Sequence, residues 1–145
     1  KDSLHARRLV IKKIYNYTAG ATCTSLMGLD EVDYGKPVLI SLGMWKEESF
    51  PLYSGDISYL YCISKYPTLL KELDFSKIDF TSYTGFSDHT EGVVAPITAL
   101  ARGAKIIEKH FTIDKSMYGP DHSGSMTPDE LREICNFRDN LKECM

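Results

Sequence analysis

The stretch from Gly85 to Ser125, GFSDHTEGVVAPITALARGAKIIEKHFTIDKSMYGPDHSGS, limits the folds open to this chain more than any other. Thr84 to Asp88 reads as a short strand that delivers His89 at its end. Val93, Ile97, Leu100 and Ala101 then follow helical spacing, Gly103 closes the helix, and Ala104 to His110 reads as a second strand. A right-handed crossover makes the two strands parallel, and as neighbours they would lie about 4.8 Å apart. Both imidazoles then leave the same, C-terminal edge of the sheet, where α/β enzymes keep their chemistry and where two neutral imidazoles suit a divalent metal. Each residue also has an ordinary reading. Asp88 or Thr90 could cap the following helix, and a lone strand-end histidine is more often structural than a ligand.

The 145 residues are of single-domain size, read as one domain over 1–145, and 43% apolar with 11% aromatic content is enough for a packed core. A formal charge of -3 excludes a general attraction to nucleic acid or membrane, so any phosphate binding must be local. KDSLHARRLVIKK lacks the apolar core of a signal peptide, and the chain has no long apolar run; the expectation is a cytoplasmic protein. Cys23, Cys62, Cys135 and Cys144 show no CxxC spacing and are expected as reduced, mostly buried thiols.

Taken in order, Lys1 to Ile14 suggests the end of an amphipathic helix running towards a strand, and Ile14 to Ala21 a strand weakened by Gly20. Thr24 to Asp33 is a short helix or loop. Tyr34 to Pro37 turns into Val38-Leu39-Ile40, an apolar run typical of a strand covered on both faces, with Ser41 at its end and Gly43 just beyond. Ile57 to Ile63 is the next strand, stopped by Pro67; Tyr66 on this loop reads by itself as a half-buried aromatic, and Asp121 after Gly119-Pro120 as a turn residue. Thr127-Pro128-Asp129-Glu130 starts the final helix with a capping box.

Strand followed by helix is the pattern of a (β/α) barrel, and a whole one needs about 250 residues. The chain is therefore read as α/β, part of a TIM (β/α)8 barrel, roughly its last four to five strands with their helices. A small open doubly wound sheet is the alternative. A partial barrel would leave two strand edges open and Val38, Ile40, Ile106 and Ile107 uncovered, which points to a homo-oligomer or to pairing with the missing barrel half.

Five blocks in order carry a resemblance to a known family. GFSDHT, GAKIIEKHFT and GPDHSGSMTPDEL, preceded by KPVLISLGM and YCISKYPT, resemble the sialic acid synthases, which condense phosphoenolpyruvate with N-acylated hexosamines to make N-acetylneuraminate and related nonulosonic acids. The match runs from Lys36 to Leu131. The resemblance implies an aldol-like condensation assisted by a divalent metal, manganese in the family. It assigns His89 and His110 to the metal, Ser41, Ser64 and Ser87 to phosphoenolpyruvate, and Tyr66 and Asp121 to the sugar. It leaves the catalytic acid unassigned, because the family's upstream Lys-x-x-Ser-x-Glu/Asp falls here on Tyr17, Gly20 and Thr22. Two classes of function stay open: a synthase, or a non-catalytic relic or partner subunit that keeps the fold and the histidines.

Overall fold

The computed structural model describes residues 7–12, 21–23, 37–45, 49–52 and 55–145. Six strands form one sheet: β1 (Arg7–Lys12), β2 (Ala21–Cys23), β3 (Val38–Ser41), β4 (Ile57–Cys62), β5 (Gly85–Asp88) and β6 (Ile106–Phe111). Their order is β1-β6-β5-β4-β3-β2, and every pairing from β2 to β6 is parallel. Parallel neighbours that follow sequence order without reversal are the arrangement of a barrel wall. A doubly wound sheet reverses its order at a switch point, and none occurs here.

Curvature confirms this. In a flat sheet β3 and β6, three strands apart, would be about 14 Å from each other. Yet Ser41 Oγ on β3 donates to Glu108 Oε2 on β6 at 3.2 Å. The sheet is curled towards the face that carries these two residues, and the chain is part of a (β/α)8 barrel.

The opposite, outer face packs on the helices. Phe86 and Ile107 from the strands meet Ala95, Ala99 and Leu100 of α1 (Val94–Ala101), Ile134 of α2 (Pro128–Glu143), and Ile78 and Phe80 in one core. The crossover from β4 to β5 has no α-helix; it is built from two single-turn 3₁₀ helices, Leu70–Glu72 and Phe75–Lys77. Helix α1 begins after Val93 with no side-chain cap, so neither Asp88 nor Thr90 caps it, and Pro96 sits in its first turn, where a missing N–H costs nothing. Its C-terminus is a Schellman turn: Gly103 takes φ of +104°, with Gly103 N–H donating to Leu100 O at 3.0 Å and Ala104 N–H to Ala99 O at 2.9 Å. Helix α2 opens as its sequence requires. Thr127 accepts from the Glu130 amide, and the Glu130 carboxylate accepts from the Thr127 amide in return.

Three expectations are corrected. Arg7–Lys12 is a strand, not a helix end, and pairs antiparallel with all of β6, from Arg7 opposite Phe111 to Lys12 opposite Ile106. It therefore covers the edge of β6 and itself becomes the edge strand on that side, so the described sheet has β1 and β2 at its two edges. Ile40, Ile106 and Ile107 are buried, and Val38 is partly so, because the outer core and the curled inner face cover them. Cys62 is buried, Cys135 only partly so, and Cys144 is exposed. The readings for 14–20 and 24–33 lie outside the described residues. No helix among the described residues is long and apolar enough to cross a membrane.

Candidate active site

Strand alternation decides which side chains face the inside of the curl. Register pairs Ser87 with Glu108 and Cys62 with Ser87. Ser87, His89, Glu108 and His110 thus fall on the inner face, together with Ser41, whereas Phe86, Asp88, Ile107 and Lys109 fall on the outer one. Ser87 and Glu108 are each 2% exposed. Glu108 has no assigned ligand role by the resemblance and is, with Asp121, one of two carboxylates that could supply the unassigned acid. The available signal for Glu108 was the period of two, which puts it on the face of His110.

His89 is held firmly. Its Nδ1 lies 2.7 Å from the carbonyl oxygen of Ile63, an atom that can only accept, so Nδ1 carries the proton and the neutral ring offers the lone pair of Nε2. Tyr66 Oη sits 2.6 Å from that Nε2, and the tyrosine ring stacks on the imidazole at 3.9 Å between centroids. Tyr66 follows β4 on a loop whose Tyr66–Pro67 peptide is cis. Thr68 N–H, on the same loop, donates to the His89 carbonyl at 2.9 Å, so loop and strand end are tied together. Tyr66 is 55% exposed, and its ring centroid also lies 5.6 Å from that of His110.

His110 stands opposite, its ring centroid 6.4 Å from that of His89 and its plane turned by 77°. Its Nδ1 faces Asp121 Oδ2 at 3.8 Å. Asp121 is presented by the β6–α2 loop, which is folded from within: Ser125 Oγ donates to the Asp121 carbonyl at 2.6 Å, and buried His122 bonds Thr112 Oγ1 through Nδ1 at 2.7 Å. His89, His110, Tyr66 and Asp121 thus line one cleft of about 130 Å³, with Glu91, Pro120 and Ser123 among its other walls.

The three predicted serines do not line this cleft. Ser41 donates to Glu108, Ser87 is buried on the inner face beside it, and Ser64 is exposed just past β4. Gly43 serves this corner by its lack of a side chain: a Cβ there would come within 2.4 Å of Ser64 Oγ and 2.9 Å of Cys62 Sγ. Of the upstream positions, Thr22 lies on β2 opposite Leu39, and Tyr17 and Gly20 lie outside the described residues.

The donor set fits a divalent ion in part. Two imidazoles on one ion, with nitrogen–metal distances of about 2.0–2.2 Å, hold their ring centres roughly 4.5–6.5 Å apart, so the observed spacing is at the wide end. The proton of His89 Nδ1 on a backbone carbonyl is the outer support that metal-bound histidines usually have. Among the described residues no group of three or more His, Cys, Asp or Glu side chains is arranged to hold a metal. Two histidines alone fall short of the three protein ligands that catalytic metal sites usually provide.

Comparison with known proteins identifies relatives in sequence and in fold. N,N'-diacetyllegionaminic acid synthase of Campylobacter jejuni is 33% identical over 127 residues, covering 84% of this chain and 36% of that protein. The N-acetylneuraminate-9-phosphate synthase of Homo sapiens is 32% identical over 114 residues, covering 69% and 32%. The crystal structure of the N-acetylneuraminic acid (sialic acid) synthetase of Leptospira borgpetersenii serovar Hardjo-bovis superposes with a TM-score of 0.63 at 27% identity, over 76% of this chain and 43% of that one. The chain spans about a third of the length of the two sequence relatives. Residues 18–145 match the NeuB family, which carries the likeness upstream of Lys36, where the motif blocks begin. With that match over most of its length, the chain belongs to the NeuB family of sialic-acid-type sugar-acid synthases.

Proposed function

We propose that this chain supplies the metal side and the sugar side of a nonulosonate synthase site, in which phosphoenolpyruvate condenses with an N-acylated hexosamine of the N-acetylmannosamine type. The observation that supports it most is the convergence of His89, His110, Tyr66 and Asp121 on one cleft at the C-terminal edge of the parallel strands. In the reaction, C3 of phosphoenolpyruvate bonds to the aldehyde carbon of the open-chain sugar, water adds at C2, and phosphate leaves with cleavage of its bond to C2. His89 Nε2 and the His110 imidazole would hold a divalent ion, manganese for preference, which when bound would supply Lewis-acid polarisation of the aldehyde oxygen.

The other roles belong to the chain's own groups. Ile63 O holds His89 in the tautomer whose Nε2 faces the cleft. Tyr66 offers a hydroxyl and an exposed ring, and Asp121 a carboxylate, to sugar hydroxyl groups. A cleft of about 130 Å³ is small beside the 300–1,000 Å³ or so of ordinary ligand pockets, so it suits the reacting end of the sugar, with the rest extending past Tyr66. Ser41, Ser64 and Ser87 are the proposed phosphoenolpyruvate contacts; their hydroxyls can donate to carboxylate and phosphate oxygens. Glu108, buried on the same face, is the candidate for the acid that the upstream motif does not provide.

The second reading, a non-catalytic subunit, is favoured by one observation: Thr22 on β2 stands where the resemblance expects a carboxylate. The two readings separate by experiment. Manganese(II) titration of the wild type, His89→Ala and His110→Ala should show one site in the wild type and a loss of at least tenfold in affinity in either variant. Equal binding in all three overturns the shared site. Phosphate release with manganese, phosphoenolpyruvate and N-acetylmannosamine should fall far below that of a complete synthase, since each absent preorganised charge costs about 10²- to 10³-fold. Fast turnover that disappears in His110→Ala would instead establish a competent enzyme with its acid at Glu108 or Asp121.

A further inference from the structure

We propose that the buried Asp88–Lys109 ion pair on the outer face of the sheet is a positioning device that sets the pose of His89 and its spacing from His110. The inference rests on the reading of these histidines as one site, and it assigns a task to the two residues that precede them. Lys109 Nζ lies 2.7 Å from Asp88 Oδ2, and the two side chains are 1% and 0% exposed. A fully buried pair of charges is costly to desolvate, and packed apolar residues are often as stable or more so, so stability alone is a poor reason for one.

Its connections supply a better reason. Asp88 Oδ1 accepts from the Thr90 amide at 2.8 Å, and Lys109 Nζ donates to the Thr90 carbonyl as well as to Asp88. The residue enclosed between Asp88 and Thr90 is His89. Both backbone polar groups of Thr90 are thus tied to the pair, and the His89 carbonyl is held from the other side by the Thr68 amide. Lys109 is in register with Asp88 and its next neighbour is His110, whose carbonyl is fixed by the Met126 amide at 2.9 Å. One ion pair therefore joins the ends of β5 and β6 at the point where each turns its histidine inward. Removing the pair frees the 88–90 backbone, and with it the aim of Nδ1 at Ile63 O.

The test uses Lys109→Met and the double variant Asp88→Leu/Lys109→Met. The double variant removes both charges and keeps the branching at the Asp88 γ-carbon and the length of the Lys109 chain, so it avoids the lone buried carboxylate of the single variant. Two readouts are taken: manganese(II) affinity from the decrease of the free-ion electron paramagnetic resonance signal, and the His89 tautomer from long-range proton–nitrogen spectra of the metal-free protein. The expected result for the folded double variant is a manganese affinity at least tenfold weaker, the scale of lost outer support for a ligand, with a His89 ring that no longer holds its proton on Nδ1 alone. A folded double variant with wild-type affinity and wild-type tautomer overturns the proposal and leaves the metal site standing. A wild type that binds no manganese, beside a double variant whose His89 tautomer is lost, overturns the metal reading and supports the positioning role.

Discussion

Replacing Tyr66 with phenylalanine removes one atom from the candidate site and leaves the rest of the side chain in place. The phenol oxygen lies 2.6 Å from His89 Nε2, the atom proposed to bind the metal, while the ring stacks on the imidazole at 3.9 Å. Because Nδ1 is committed to the Ile63 carbonyl, Nε2 has one lone pair, and the tyrosine hydroxyl and an incoming cation compete for it. A hydrogen bond of this kind is worth a net ~0.5–1.5 kcal/mol. Its removal should therefore raise manganese(II) affinity by about 2- to 12-fold, taking 1.4 kcal/mol as tenfold. Tyr66 is 55% exposed, so thermal stability should change little. The assay is manganese titration of the wild type, Tyr66→Phe and Tyr66→Phe/His89→Ala at one fixed pH, with the last variant controlling for other sites. If Tyr66→Phe binds manganese more weakly than the wild type, the hydroxyl supports the ion rather than competing with it, and the reasoning fails.

Other outcomes follow from the packing and the caps. Phe86→Ala should destabilise the fold by about 3–5 kcal/mol, since the ring is 1% exposed at the centre of the outer core against Tyr61 and Phe75; a loss under 1 kcal/mol by urea titration would mean the site collapses freely. Thr127→Ala should cost about 0.5–2 kcal/mol by removing the side-chain half of the α2 capping box, and Thr127→Ser should recover most of it. Burial pushes the Glu130 carboxyl up, but the Thr127 amide and the Lys115 ammonium outweigh it and hold the group below the ordinary glutamate value of 4.5. A lowered folded-state value stabilises the protein above the unfolded value, and that contribution is lost as pH falls through the folded one. The stability gap between wild type and Glu130→Gln should thus be full at pH 7 and shrink below about pH 4.5; a gap constant from pH 7 to pH 3 would refute the assignment.

Local signals, whose cause lies within a few residues, are legible in the chain alone. Thr127 and Glu130 cap a helix through neighbouring amides, Gly103 ends one because it tolerates positive φ, and the apolar runs at Val38, Ile57 and Ala104 become strands. The histidines at two strand ends were legible for the same reason, and the motif blocks around them carried the family. Other features depend on residues far apart in the chain and take shape only when the strands pair. Arg7–Lys12 carries basic residues beside Leu9, Val10 and Ile11, and either a helix or a strand could use that pattern; pairing with β6, almost a hundred residues on, selects the strand. The Ser41–Glu108 contact exists because the sheet curls, and curvature is a property of several paired strands that no single one encodes. Asp88 looked like a helix cap. It is instead half of a buried ion pair, because Lys109 arrives beside it only when β5 and β6 lie parallel and in register.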